Sequence, residues 1–205
     1  MRAGLQIYFI RHGETQWSLS GQHTGRTDLP LTAHGEATAR QLATALHGIA
    51  FSQVLTSPRL RARTTCELAG LAGSGNTAAQ IERNLAEWDY GDYEGLRTTE
   101  IRQLEPAWDI WEHGCPHGET PAEASHRADR LIVRLCGLSG NIALFSHGQF
   151  GRALAARWIG LPVLEGQHFA LDPASISILD FEVEHPQRRI ISLWNATASG
   201  AVRLW

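Results

Sequence analysis

Leu5-Gln6-Ile7-Tyr8-Phe9-Ile10, running without a break into Arg11-His12-Gly13-Glu14, is the segment on which the fold turns. A short apolar run that ends on charged and polar side chains reads as a buried strand delivering them to the edge of a sheet. A second run repeats the arrangement, with Ile142-Ala143-Leu144-Phe145 leading through Ser146 to His147-Gly148. If the two strands are parallel neighbours, their histidines meet. A neutral imidazole at such an edge can attack phosphorus when a backbone carbonyl holds the proton on one ring nitrogen and leaves a lone pair on the other. For Arg11 to Glu14 taken alone, the alternative is a polar strand end facing water.

The rest of the chain extends the pattern. Strand candidates at 5–10, 52–56 and 142–146 alternate with helix-period segments, which predicts an α/β fold, a three-layer α/β/α sandwich around a mostly parallel sheet. A helix is expected from Ala33 to Leu46 with Thr32 as its N-cap, and another from Ser57-Pro58, serine capping and proline at the first helical position. Thr120-Pro121-Ala122-Glu123 is a capping box, and Ala124, Ala128, Leu131, Ile132 and Leu135 follow it as a core-facing stripe. A helix over Phe150–Ile159 stops at Gly160 and Pro162. Ile176–Val183 and Arg189–Trp194, around His185-Pro186, predict an antiparallel hairpin at the C-terminal edge of the sheet, while residues 70–80 read as a surface loop. A length of 205 residues predicts one domain, 1–205, with an excursion around 88–120.

Composition removes several chemistries. All 18 basic residues are arginine, so a Schiff-base lysine and a Walker-type nucleotide loop are both excluded. Cys66, Cys115 and Cys136 are too few and too scattered for a disulfide framework, and none begins a Cys-x5-Arg loop, since Ala72, Pro121 and Ile142 stand six residues on. His113, Cys115 and His117 alternate in a spacing that matches no common zinc pattern, so no metal and no cofactor is expected. A net charge of −3 gives no reason to expect nucleic acid or an anionic membrane as partner. With no apolar run of membrane-spanning length and no cleavable leader, a cytoplasmic location is the expectation.

Arg11, His12, Arg61, Glu87 and His147 all fall where strands or loops open toward one face of the sheet. Read in order, Arg11-His12-Gly13-Glu14-Thr15, Thr24-Gly25, Leu31-Thr32 with Gly35-Glu36, Ser57-Pro58 with Arg61-Ala62, Glu87 with Tyr90-Gly91 and Glu94-Gly95, Gly118-Glu119-Thr120 and Ser146-His147-Gly148 resemble the histidine phosphatase superfamily, in its phosphoglycerate mutase-like branch. The resemblance implies that His12 is the nucleophile that becomes phosphorylated. It implies that Arg11, Arg61 and His147 surround the phosphoryl group, and that Glu87 gives a proton to the leaving oxygen, with Glu94 as a rival for that role. Ser18, Gln22, Thr24, Gly25, Tyr90 and Gly148 would touch substrate, together with Arg11 and Arg61. The 88–120 segment would cover the substrate. The seven tryptophans read mostly as core or edge packing, with the pocket rim as the alternative for Trp88, Trp108 and Trp111.

Departures from the mutases point to hydrolysis. Where they carry Glu-Arg-His-Tyr-Gly, this chain has Glu87-Trp88-Asp89-Tyr90-Gly91, and Thr98 stands where they use a lysine. Each missing charge-assisted contact removes about 1.5–3 kcal/mol from the binding of a bisphosphoglycerate. Gly21-Gln22-His23-Thr24-Gly25, Ser57 to Arg63 and Glu87 to Gly95 are more similar to the fungal-type sedoheptulose-1,7-bisphosphatases, which implies a sugar phosphate or bisphosphate as the small-molecule partner. The alternatives are a cofactor-dependent phosphoglycerate mutase, a phosphoprotein phosphatase and a noncatalytic sensor of a phosphorylated ligand.

Overall fold

The computed structural model of the protein describes residues 4–73 and 78–197. Six strands, β1 (Gln6–Arg11), β2 (Phe51–Thr56), β3 (Gln80–Ile81), β4 (Asn141–Ser146), β5 (Ser175–Phe181) and β6 (Arg189–Thr197), form one sheet in the order β3-β2-β4-β1-β5-β6. The first four strands of that order run parallel, and β5 and β6 close the other edge antiparallel, as expected. The expected loop over 70–80 is cut short, because Gln80 pairs with Leu55 and opens β3; residues 74–77 lie outside the described residues. Two paired residues are too few to carry a periodic signal.

Strand alternation explains why both faces of the sheet are covered. Ile7 and Phe9 of β1 join Ile142 and Leu144 of β4 on one face, and Tyr8 and Ile10 join Ala143 and Phe145 on the other. The first face is covered by α6 (Pro121–Cys136) and α7 (Gly148–Trp158), through Leu131, Leu135, Phe150, Leu154 and Trp158. The second is covered by α2 (Ala33–Ala45) and α3 (Leu60–Leu68), through Leu42, Ala62 and Cys66. Three short helices lie outside the sandwich: α1 (Gln16–Ser20), α4 (Thr98–Leu104) and α5 (Ile110–His113). Among the described residues, no helix is long and apolar enough to cross a membrane.

Thr32 and Thr120 cap α2 and α6 as expected, the latter in a capping box with Glu123. Ser57 does not cap its helix. Arg59 occupies the N-cap of α3 with no side-chain bond, and the Leu60 N–H is met from a distant loop by Asp28 Oδ1 at 2.6 Å. The Ser57 hydroxyl instead lies 2.7 Å from His147 Nε2, a contact that local sequence does not encode. α7 begins at Gly148, two residues earlier than expected, with His147 at its N-cap.

Candidate active site

Register brings the two histidines together. β1 and β4 pair with Arg11 opposite Ser146, the His12 N–H donates to the Ser146 carbonyl at 2.9 Å, and the next residue of each strand is a histidine. The His12 and His147 rings stand 5.1 Å apart, edge to face. His12 Nδ1 lies 2.7 Å from the Gly13 carbonyl, an acceptor, so this nitrogen carries the proton and Nε2 keeps its lone pair. Burial, then the guanidinium charges of Arg61 and Arg11, hold His12 well below the ordinary histidine range, and the ring is neutral. Burial, followed by Arg61 and His12, does the same to His147.

The turn that presents His12 is fixed from below. Gly13 N–H donates to Thr65 Oγ1 at 3.0 Å, and Thr65 Oγ1 donates to the Arg61 carbonyl at 2.7 Å. Thr32 Oγ1, the cap of α2, reaches Glu14 Oε1 at 2.6 Å, and the Thr32 N–H donates to the Glu14 carbonyl at 2.9 Å. The backbones meet so closely that a Cβ on Gly13 would lie 2.6 Å from the Gly35 carbonyl oxygen. Gly13→Ala is therefore expected to destabilise the protein by about 1–3 kcal/mol, the range for forcing bulk into a packed site, read as a lower urea midpoint with an unchanged slope.

Arg61 and Arg11 approach the histidines, and a third guanidinium group, Arg152, lines the same cleft. Arg61 is fully buried and is held by carbonyls of one loop, Thr24 at 2.8 Å, Thr27 at 3.0 Å and Gly25 at 3.4 Å. Glu94 clamps the same loop by accepting from the Gly25 and Thr27 N–H groups at 3.0 and 2.8 Å. Arg11 donates to the Leu171 carbonyl and passes over Gly148, where a Cβ would lie 3.1 Å from its central guanidinium carbon. Arg152, from α7, donates to the Gly166 and Gln167 carbonyls and rests against the Trp111 ring. Of the five buried side-chain atoms left without a hydrogen-bond partner among the described residues, three are here: Arg11 Nε, Arg61 Nε and His147 Nδ1. Each unmet group costs about 1–3 kcal/mol, so their convergence calls for an anion with several acceptor oxygens.

Glu87 sits opposite this positive cluster. Its carboxylate accepts from the Phe150, Trp88 and Gln149 N–H groups at 2.7, 2.9 and 3.0 Å, two of them at the open N-terminus of α7. It faces a cleft of about 560 Å³ lined also by Arg11, His12, Ser18, Gln22, Thr24, Tyr90 and Gly148. Glu94 has no place in that lining, which separates the two candidate acids. Arg61 and His147 are buried beneath the cleft, and Gly25 lies in a second cleft behind Glu87. Ser18 and Gln22 spend their side chains locally: Ser18 Oγ closes a capping box with Thr15, and Gln22 binds the Gly95 carbonyl at 2.9 Å.

The structure decides between alternatives and adds residues. Of the two places open to Trp88, Trp108 and Trp111, they take the core and not the rim, buried together in a third hydrophobic cluster, with the Trp88 and Trp108 N–H groups satisfied by the Glu119 and Gly114 carbonyls. Trp17 takes the lining position instead. His113 and His117 turn to Asp109 and Asp92, while Cys115 is buried in the tryptophan cluster. Sequence reading missed Trp17, His23, Arg152 and the wall formed by Gln167 to Leu171. Arg152 was within reach, four residues beyond Gly148 on one helical face. His23 stacks on Tyr90 at 4.6 Å and is pulled down to about 4, mainly by burial.

The buried histidines make stability depend on pH. Their folded values lie below the unfolded value near 6.5, so between the two the unfolded chain binds more protons. Their contribution is complete above about pH 6.5 and is lost as pH falls. The urea midpoint is expected to decline steadily from about pH 6.5 to 5, and His147→Gln to make that decline shallower.

The sequence profile described as Histidine phosphatase superfamily (branch 1) matches residues 7–197. Over 192 residues the chain is 43% identical to an acid phosphatase of Mycobacterium tuberculosis, covering 92% of each. It is 39% identical over 182 residues to a sedoheptulose 1,7-bisphosphatase of Saccharomyces cerevisiae, covering 75% of this chain and 67% of that one. A solved structure of an open reading frame product from Mycobacterium tuberculosis superposes with a TM-score of 0.86 at 40% identity, over 94% of this chain and 98% of the other.

Proposed function

The chain belongs to the histidine phosphatase superfamily, and from that premise we propose that it hydrolyses a small phosphate monoester, a sugar phosphate or bisphosphate, through a phosphohistidine on His12. The observation that carries this reading is the unprotonated Nε2 of His12 set among three buried donors that lack partners. In the first step Nε2 attacks phosphorus, the ester P–O bond breaks, and Glu87 acts as the acid that gives a proton to the departing oxygen. In the second, water attacks the phosphohistidine, Glu87 takes back a proton, the P–N bond breaks and inorganic phosphate leaves. Arg11, Arg61 and the N–H of His147 hold the equatorial oxygens throughout. Phosphoryl transfer has a loose transition state, so positioning and charge supply most of the acceleration.

The lining supports a small hydroxylated substrate. Ser18, Gln22, Thr24, Gln149 and Gln167 alternate with Trp17, Tyr90, Phe169 and Leu171, a mixture suited to the edges and faces of a sugar. Of the 88–120 excursion, Tyr90 supplies the wall, within what we take as one catalytic domain. Asp89, where the mutases have an imidazole, is ion-paired with Arg26 and offers nothing to a second phosphate of glycerate type. Buried Cys66 and Cys115, both pushed up to about 12 by burial, suit a reducing compartment such as the cytoplasm.

The test is a hydrolysis screen in excess chelator over sugar phosphates, sugar bisphosphates, 3-phosphoglycerate and phosphopeptides. Release of inorganic phosphate fastest from a sugar ester is the expected result. Transfer between glycerates without release would establish the mutase instead, and preference for phosphopeptides would overturn the small-molecule reading.

A further inference from the structure

The contact between Ser57 and His147 settles a question of proton placement. Both residues are fully buried. Ser57 Oγ lies 2.7 Å from His147 Nε2 and also accepts the Arg59 N–H at 3.3 Å. A hydroxyl has one proton and two lone pairs. If Nε2 carried the imidazole proton, Ser57 would accept from both neighbours, and its own proton would point into a buried site with no acceptor among the described residues. If Ser57 donates to Nε2, every group at this contact is satisfied, and the imidazole proton must reside on Nδ1. That nitrogen is closed off from solvent and has no protein partner, on a ring edge to face with the proposed nucleophile.

We infer that Ser57 is a positioning residue: its hydroxyl donates to His147 Nε2 and so fixes His147 as an Nδ1–H donor to the transferring phosphoryl group. The inference rests on the phosphatase reading, in which that group occupies the space between His12 and His147. The third possibility, a doubly protonated ring, is opposed by burial and by the charge of Arg61. Ser57 touches no substrate in this scheme. Its influence passes through the tautomer of a neighbour, much as an orienting group acts on a general base.

The decisive measurement is long-range proton–nitrogen NMR on protein labelled with ¹⁵N-histidine, with the His147 ring identified by its disappearance in His147→Gln. The wild-type protein is expected to show His147 protonated on Nδ1, and saturating inorganic phosphate to move that signal together with the His12 ring. Ser57→Ala is expected to transfer the proton wholly or partly to Nε2 and to lower kcat about 10- to 100-fold with little change in KM, whereas Ser57→Thr restores the Nδ1 tautomer and most of kcat. An Nε2–H ring in the wild-type protein overturns the inference without any variant being made. So does an unchanged tautomer in Ser57→Ala. Phosphate that moves His12 but leaves His147 Nδ1 unmoved removes the donor role alone, while phosphate that moves neither ring sinks the phosphatase reading on which it stands.

Discussion

His12→Ala is expected to lower kcat by about 10⁴-fold or more on every substrate the enzyme accepts, because it removes the proposed nucleophile. No other residue can take over. His147 Nε2 is occupied by Ser57, Cys66 is buried on the core-facing side of α3, and Cys115 is buried among the tryptophans. Substrate or product should still bind, since Arg11, Arg61 and His147 remain. The informative outcome is thus a lost kcat with a largely retained affinity for inorganic phosphate, measured by titration calorimetry. The variant should also fail to acquire the acid-labile phosphoryl group that rapid quenching traps on the parent protein. A variant that still turned over at a tenth of the parent rate would show that another group, or water acting directly, attacks phosphorus.

Glu87→Gln is expected to produce a loss that depends on what is leaving. Glutamine keeps the side-chain shape and can still accept N–H groups at the start of α7, but it has no proton to give. A general acid contributes about 10²–10⁴ in rate when the leaving oxygen is a poor one, as in a sugar alcohol. With an aryl phosphate, whose oxygen departs without help, phosphorylation should slow by only a few-fold. A plot of rate against leaving-group basicity should therefore be steep for Glu87→Gln and shallow for the parent. Equal losses on alkyl and aryl esters would assign Glu87 a binding role. Glu94→Gln provides the contrast: it weakens the clamp on Gly25 and Thr27, and so the setting of Arg61, and should depress both classes of ester alike.

The parts of this site that could be read from the chain are those made by the sheet. A parallel strand buried on both faces leaves an unbroken apolar run, and β1 and β4 each end directly on a histidine, so Arg11, His12 and His147 announced themselves. Arg61 was legible through its motif, although the three arginines at 59, 61 and 63 differ only in what the fold places beside them. The readings that failed did so where tertiary contact overrode local preference. Ser57 has the residue type and the following proline of a helix cap, but a buried imidazole claims its hydroxyl and Asp28 caps the helix from another segment. For Trp88, Trp108 and Trp111 the rim stood as the alternative to the core, because an indole has an apolar body and a polar edge. The Trp88 and Trp108 N–H groups find the Glu119 and Gly114 carbonyls, and nothing then keeps those two rings at the surface. Trp17 and the 167–171 wall carry no periodicity, and only the closed fold brings them to the cleft.

The division of labour between the sheet ends and the irregular segments has a consequence for how such proteins diversify. His12 and His147 stand at the ends of the two innermost strands, whereas Trp17 to Thr24 and Gln167 to Leu171 contribute only Leu171 to the three clusters that hold the molecule together. Mutations in those two stretches can accumulate at small thermodynamic expense and redirect which ester is accepted, with the bond-breaking apparatus inherited unchanged. A lineage built this way drifts in diet before it drifts in chemistry. A library randomised at Trp17, Gln167 and Phe169 would be the natural place to look for new selectivities.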